Sequence, residues 1–181
     1  KDVKKLDIKT FGPPLVAIYL MAGVLSIFGG WINKALIQKG WSSNKARKVC
    51  LFSFALCVLP CFICNADFVG LWGGVVIIGV ACAAHQAWSA NLYTTVSDMF
   101  PKNAVASVIG IGGMAGSVGG MLFPVFAGIL IDHMKKTDHV LMAYVILFSI
   151  CACAYVVAFA LNHLLAPRFE KINLESATPG K

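Results

Sequence analysis

Phe68 to Tyr93 reads FVGLWGGVVIIGVACAAHQAWSANLY. Its first half holds only apolar and small residues. At 26 residues the whole stretch exceeds the roughly 20 that a helix needs to cross about 30 Å of hydrocarbon. The second half then sets His85, Gln86, Ser89 and Asn91 among alanines and Trp88. Backbone polar groups in lipid must be satisfied within the chain, so the stretch predicts a transmembrane helix. Polar side chains in hydrocarbon are costly unless they meet partners or a wet passage, so this helix has one side that faces something other than lipid.

Four further apolar runs flank it. The five spans are expected at about 14–32, 49–64, 68–93, 104–131 and 140–161, within one transmembrane bundle of residues 1–166 followed by a cytoplasmic tail, 167–181. The second span is short, but Lys48 can lay its stem in lipid and carry its charge to the interface. Only 13% of the 181 residues are charged and 59% are hydrophobic, against about a quarter charged in soluble domains. No alternating pattern supports a barrel. The expected fold class is therefore an all-α membrane protein with five transmembrane helices. The sequence opens on Lys1, and five crossings leave its ends on opposite sides, which suggests part of a larger bundle.

Charge in the connectors sets the orientation. KALIQKGWSSNKARK, between the first two spans, carries Lys34, Lys39, Lys45, Arg47 and Lys48 and no acid, while Asn65-Ala66-Asp67 after the second span carries no base. The dense basic loop is expected on the cytoplasmic side, with Trp31 and Trp41 as interface anchors. The net charge of +7 does not indicate nucleic acid, because the bases sit between apolar runs and not on one aromatic-laced face. A lipid surface is the expected partner. The seven cysteines lie in apolar helices; Cys61-Phe-Ile-Cys64 has no second pair to complete a zinc site, so buried packing is expected and no cofactor or metal.

Two constellations carry the functional reading. In the third span His85, Trp88 and Ser89 share a helix face, Gln86 flanks it, and Asn91 continues the line through Ala84 and Trp88. Such a stripe is either a solute site near the middle of the membrane or a polar helix–helix contact. His85 is either a proton relay or a neutral hydrogen-bonding group. In the fourth span, Gly110, Gly113 and Gly116 recur at threes and Gly112, Gly116 and Gly120 at fours, a seam for close packing or for a sliding surface. Pro124 interrupts that helix's hydrogen-bond ladder. Gly23, Ser26, Gly29 and Gly30 form a second small-residue seam. Asp98 is either a solvated acid or a partner for Arg47 or Lys48, closing the inner face.

Gly29-Gly30-Trp31 with the basic loop to Ala46-Arg47-Lys48, then AHQAWSAN at 84–91, SDMFP at 97–101 and VIGIGGMAG at 108–116, resemble the major facilitator superfamily. Within it they are similar to the anion:cation symporters, in particular bacterial hexuronate transporters. The resemblance implies a partial C-terminal six-helix bundle, the last five of twelve helices, with an N-terminal half as its missing partner. The acid usual in the basic loop is replaced here, Asn33 lying nearest, and Gly23 stands where the branch often has an acid.

That resemblance implies a secondary active transporter of the bacterial inner membrane, multi-pass, carrying a sugar acid such as glucuronate or galacturonate with a coupling proton or sodium ion by alternating access. Galactonate, glucarate or another organic anion is the alternative cargo, and a non-transporting structural or regulatory subunit the alternative role. The family's coupling carboxylates and its arginine for the anion belong to the N-terminal half. His85, Gln86, Trp88, Ser89, Asn91 and Ser107 are the expected substrate wall; Gly110, Gly113, Gly116, Gly120, Pro124, Asp98 and Arg47 are expected to pack or gate. Five unlike helices offer no ring of equivalent groups for a channel filter. No catalytic dyad is present, so an enzyme is not expected.

Overall fold

Gly40 ends the first helix. The computed structural model describes residues 8–172, and in it α1 (Ile8–Gln38) stops where Gly40 takes a φ of +87°, a conformation that costs glycine nothing. The Gly40 N–H bonds to the Ile37 carbonyl at 3.0 Å and the Trp41 N–H to that of Leu36 at 3.2 Å, the paired closure that satisfies a helix's last carbonyls. Two residues later Ser42 caps α2 (Ser43–Val58), its hydroxyl accepting from the Lys45 N–H. The basic connector is thus mostly helix, with only residues 39–42 outside one.

Pro60, lacking an N–H, converts the end of α2 into a 3₁₀ turn, Leu59–Ile63. Helix α3 (Leu71–Met99) begins after Gly70 and ends at Phe100, which precedes Pro101 and is held extended at φ −101°, ψ 148°. Helix α4 (Lys102–Lys136) closes with His133, Lys135 and Lys136 in its last turn, cations that favour a helix C-terminus. Asp138, at φ 57°, turns the chain into α5 (Val140–Leu165). All five helices are long and apolar enough to cross a membrane, and the protein is an all-α membrane-spanning bundle. The helices outrun the apolar runs at several ends, because an apolar run marks only the part in hydrocarbon while caps and prolines decide where the ladder stops.

Packing centres on α2. Cys50, Leu51, Ala55 and Val58 are buried there against Ala84, Ala87 and Trp88 of α3 and Ala152 of α5. On the other side, α1 lies along α3 over the most extensive helix pair of the bundle. Gly29 makes that approach possible: a Cβ on it would overlap the Cβ of Ala87 and come within 3.4 Å of the Phe54 ring. Gly79 receives Met21 in the same way, a Cβ there lying 3.0 Å from its sulfur. The cysteines divide: Cys50 and Cys61 are buried, whereas Cys57 and Cys153 are exposed on the outer faces, where a small apolar thiol suits lipid as well as a core.

Helix α4 stands apart. None of its residues is buried, and a Cβ added to any of its glycines, from Gly110 to Gly128, would meet nothing within 4 Å among the described residues beyond its own helix backbone. Its contacts are with α5 and α3.

The chain after α5 folds back over the basic end. Lys48 Nζ donates to the carbonyl of Ala166 at 3.0 Å and to that of Pro167, lies 3.2 Å from His163 Nδ1, and sits 5.1 Å over the Phe169 ring. Asn44 Oδ1 accepts from the Phe169 N–H at 3.3 Å, and the Met99 carbonyl from the Ile172 N–H at 2.7 Å. Residues 166–172 therefore form a strap across the ends of α2 and α3. Of the expected bundle and tail, residues 1–7 and 173–181 lie outside the described residues. Replacing Lys48 with Met removes the donor that satisfies the end of α5. The expected result is a loss of about 1–2 kcal/mol and faster trypsin cleavage at Arg168 and Lys171; unchanged cleavage would show that the strap does not depend on this lysine.

Candidate functional site

His85 lies fourteen residues from either end of α3, about 21 Å along the axis from each, and so at the middle of the span. The side of α3 that turns into the bundle is made by Val75, Gly79, Ala83, Ala84, Ala87, Trp88, Asn91 and Thr95, all buried at helical spacing. His85 and Gln86 fall off that stripe and are exposed. Across from His85 stands Tyr155 of α5, its hydroxyl hydrogen-bonded to His85 Nδ1. The two rings meet edge-on at 6.0 Å, and Trp88 packs edge-on against the same phenol at 5.5 Å. Nε2 of His85 has no partner among the described residues, so the imidazole offers a second hydrogen-bonding atom outward. Such a pair can hold a hydroxyl or carboxylate oxygen, or pass a proton, at mid-membrane depth.

The six expected wall residues do not all gather here. His85 and Trp88 meet at Tyr155, whereas Gln86 is exposed and Ser89 half-buried on neighbouring positions of α3. Asn91 sits on the inward stripe instead, 2% exposed, its Nδ2 donating to the Ala87 carbonyl at 2.9 Å. Its neighbours across a cleft are Gly30 and Asn33 of α1 and Arg47 of α2. Ser107 is exposed only five residues into α4, about 8 Å from that helix's start and far from the depth of His85. On α4 the glycines Gly113 to Gly120, about 17–27 Å from its start, bracket the depth of His85, and Pro124 is exposed beyond them.

At the basic end, Asp98 Oδ2 accepts from Arg47 Nε at 2.9 Å and from Nη2 at 2.5 Å. The Arg47 side chain is 6% exposed and that of Asp98 46%. Ser43 reaches the same carboxylate oxygen at 3.5 Å. One ion pair thus joins the start of α2 to the end of α3, next to the strap. A family model of the Major Facilitator Superfamily matches residues 3–124, which takes in α1, α2 and α3 whole and α4 as far as Pro124. The chain belongs to the major facilitator superfamily. No curated protein and no solved structure matches it.

As a major facilitator protein it is a multi-pass membrane protein of secondary-transporter character, from a family of transporters and not of enzymes. Two polar residues at the sites of this superfamily member had weak signals in the sequence. Tyr155 is a phenol inside the most apolar of the five runs, where a buried hydroxyl needs a partner. Asn33 is an amide one turn from the end of α1; it is 7% exposed, and its Oδ1 is buried without a hydrogen bond.

Proposed function

We propose that this protein is a proton-coupled symporter of a sugar acid, a hexuronate such as glucuronate or galacturonate, in a bacterial inner membrane. Transport proceeds by alternating access, with this bundle rocking against a second one around a mid-membrane site. The observation that carries the reading is the His85–Tyr155 pair at mid-span, packed by Trp88, with Gln86 and Ser89 at neighbouring positions of α3. Polar atoms at that depth belong against a solute passage, since lipid would leave them unsatisfied. The resemblance of the AHQAWSAN and SDMFP stretches to hexuronate transporters supports the choice of cargo. In this scheme the coupling carboxylate comes from the other half of the transporter, and the open glycine face of α4 is the surface that slides. The Arg47–Asp98 pair holds α2 to α3 when the inner side is shut.

The test is uptake into vesicles of labelled glucuronate, galacturonate, galactonate and glucarate, with and without an inward proton gradient. Accumulation of a hexuronate that collapses with the gradient is the expected result. Uptake of none of the four removes the substrate class, and uptake indifferent to the gradient removes proton coupling. His85→Ala and Tyr155→Phe should each raise KM roughly 2- to 10-fold, the worth of one net hydrogen bond, in a protein that still folds and inserts. Wild-type kinetics in both variants would return the patch to helix packing.

A further inference from the structure

The cleft beside Asn91 is a different place from the mid-span patch. It has a volume of about 290 Å³ and is lined by Gly30, Asn33, Lys34 and Gln38 of α1, Arg47 of α2, and Asn91 and Thr94 of α3, among others. Two of its lining residues carry buried polar atoms with no hydrogen-bond partner: Nη1 of Arg47 and Oδ1 of Asn33. A buried donor or acceptor left unmade is costly, and two such atoms on residues that line one cleft point to a missing ligand that reaches them through its wall. Arg47 spends Nε and Nη2 on Asp98, and Nη1 remains. Asp98 does not line this cleft, so its walls present the Arg47 and Lys34 cations and no carboxylate.

Depth narrows the ligand. Asn33 lies five residues before the end of α1 and Arg47 four residues after the start of α2. Both are therefore about 6–8 Å inside the helix ends, the level at which a bilayer's phosphates meet its acyl chains. On the α1 side, Gly30 leaves open space where a side chain would stand.

We propose that this cleft is a binding site for a phosphate that bears a neighbouring hydroxyl, the chemistry shared by an anionic glycerophospholipid headgroup and by free glycerol phosphate. Arg47 Nη1 and Lys34 Nζ donate to the phosphate oxygens, and the hydroxyl donates to Asn33 Oδ1. Charge-assisted bonds from a guanidinium to phosphate are among the stronger ones available at such a depth. The site goes beyond the transport reading and does not depend on it, since its readout is binding.

The test uses the purified protein in phosphatidylcholine nanodiscs, followed by thermal unfolding and native mass spectrometry. Added phosphatidylglycerol should bind saturably and raise the thermal midpoint; Lys34→Gln should weaken that binding roughly tenfold or more, the worth of one charge-assisted bond, and Asn33→Leu roughly 2- to 10-fold, the worth of a neutral one. Protection by soluble glycerol phosphate, with phosphatidylglycerol no better than phosphatidylcholine, would also support the site and assign its ligand to solution. Protection by neither probe, or equal protection of both variants and the wild type, would overturn the proposal.

Discussion

Asp98→Ala will destabilise the protein by about 2–3 kcal/mol, while Arg47→Met will cost no more than about 1 kcal/mol. The asymmetry follows from burial and not from the bond the two residues share. Removing Asp98 strands a guanidinium that is 6% exposed, and stranding one member of a fully buried pair costs about 3–5 kcal/mol. Asp98 itself is 46% exposed, so water can take part of its place, which lowers the figure. Removing Arg47 instead deletes the buried charge and leaves a carboxylate that water can solvate. The double variant should behave like Arg47→Met alone, because the penalty belongs to the orphaned cation. Thermal and denaturant unfolding of the four proteins in one detergent closes the cycle. Equal losses in both single variants would mean that Arg47 is better hydrated than its burial implies.

Gly29→Ala is expected to cost about 1–3 kcal/mol, although it adds a single methyl group. That methyl would overlap Ala87 Cβ and lie 3.3 Å from Ala87 Cα, which is backbone and cannot rotate away. Helices α1 and α3 would have to separate along their whole shared length. Ala87→Gly in the same chain should restore most of the loss by emptying the opposing position. Gly116→Ala on α4 meets nothing within 4 Å and should leave the midpoint unchanged or slightly raised. If Gly116→Ala nevertheless slows uptake, the glycine face of α4 acts in motion and not in holding this bundle together. An unaltered midpoint in Gly29→Ala would place the two helices further apart than described here.

The five spans were legible because length and hydropathy are properties of each segment alone. Their ends were less so: α2 starts at Ser43, six residues before its apolar run, because a serine cap sets the start and Lys45, Arg47 and Lys48 are carried within the helix. Which face of α3 turns inward was not legible. Small and apolar residues surround that helix on every side, so periodicity could not separate Asn91, which points to α1 and α2, from His85, which points to α5. The small-residue seam Gly23, Ser26, Gly29, Gly30 told where close approach was permitted, but only the partner helix could show that Gly29 uses it and that Gly23 and Gly30 do not. Tyr155 and the strap were hidden for the same reason. Their meaning lies in side chains more than fifty residues away in sequence.

Helix α4, with 35 residues and no buried side chain, is about 52 Å long against a hydrocarbon core of about 30 Å. A rod so much longer than its solvent slab and so lightly gripped by its neighbours takes its tilt largely from the thickness of that slab. Thin bilayers will lay it over and thick ones will stand it up. The lipid in which the protein is reconstituted thereby becomes a control on how far the glycine face of α4 swings.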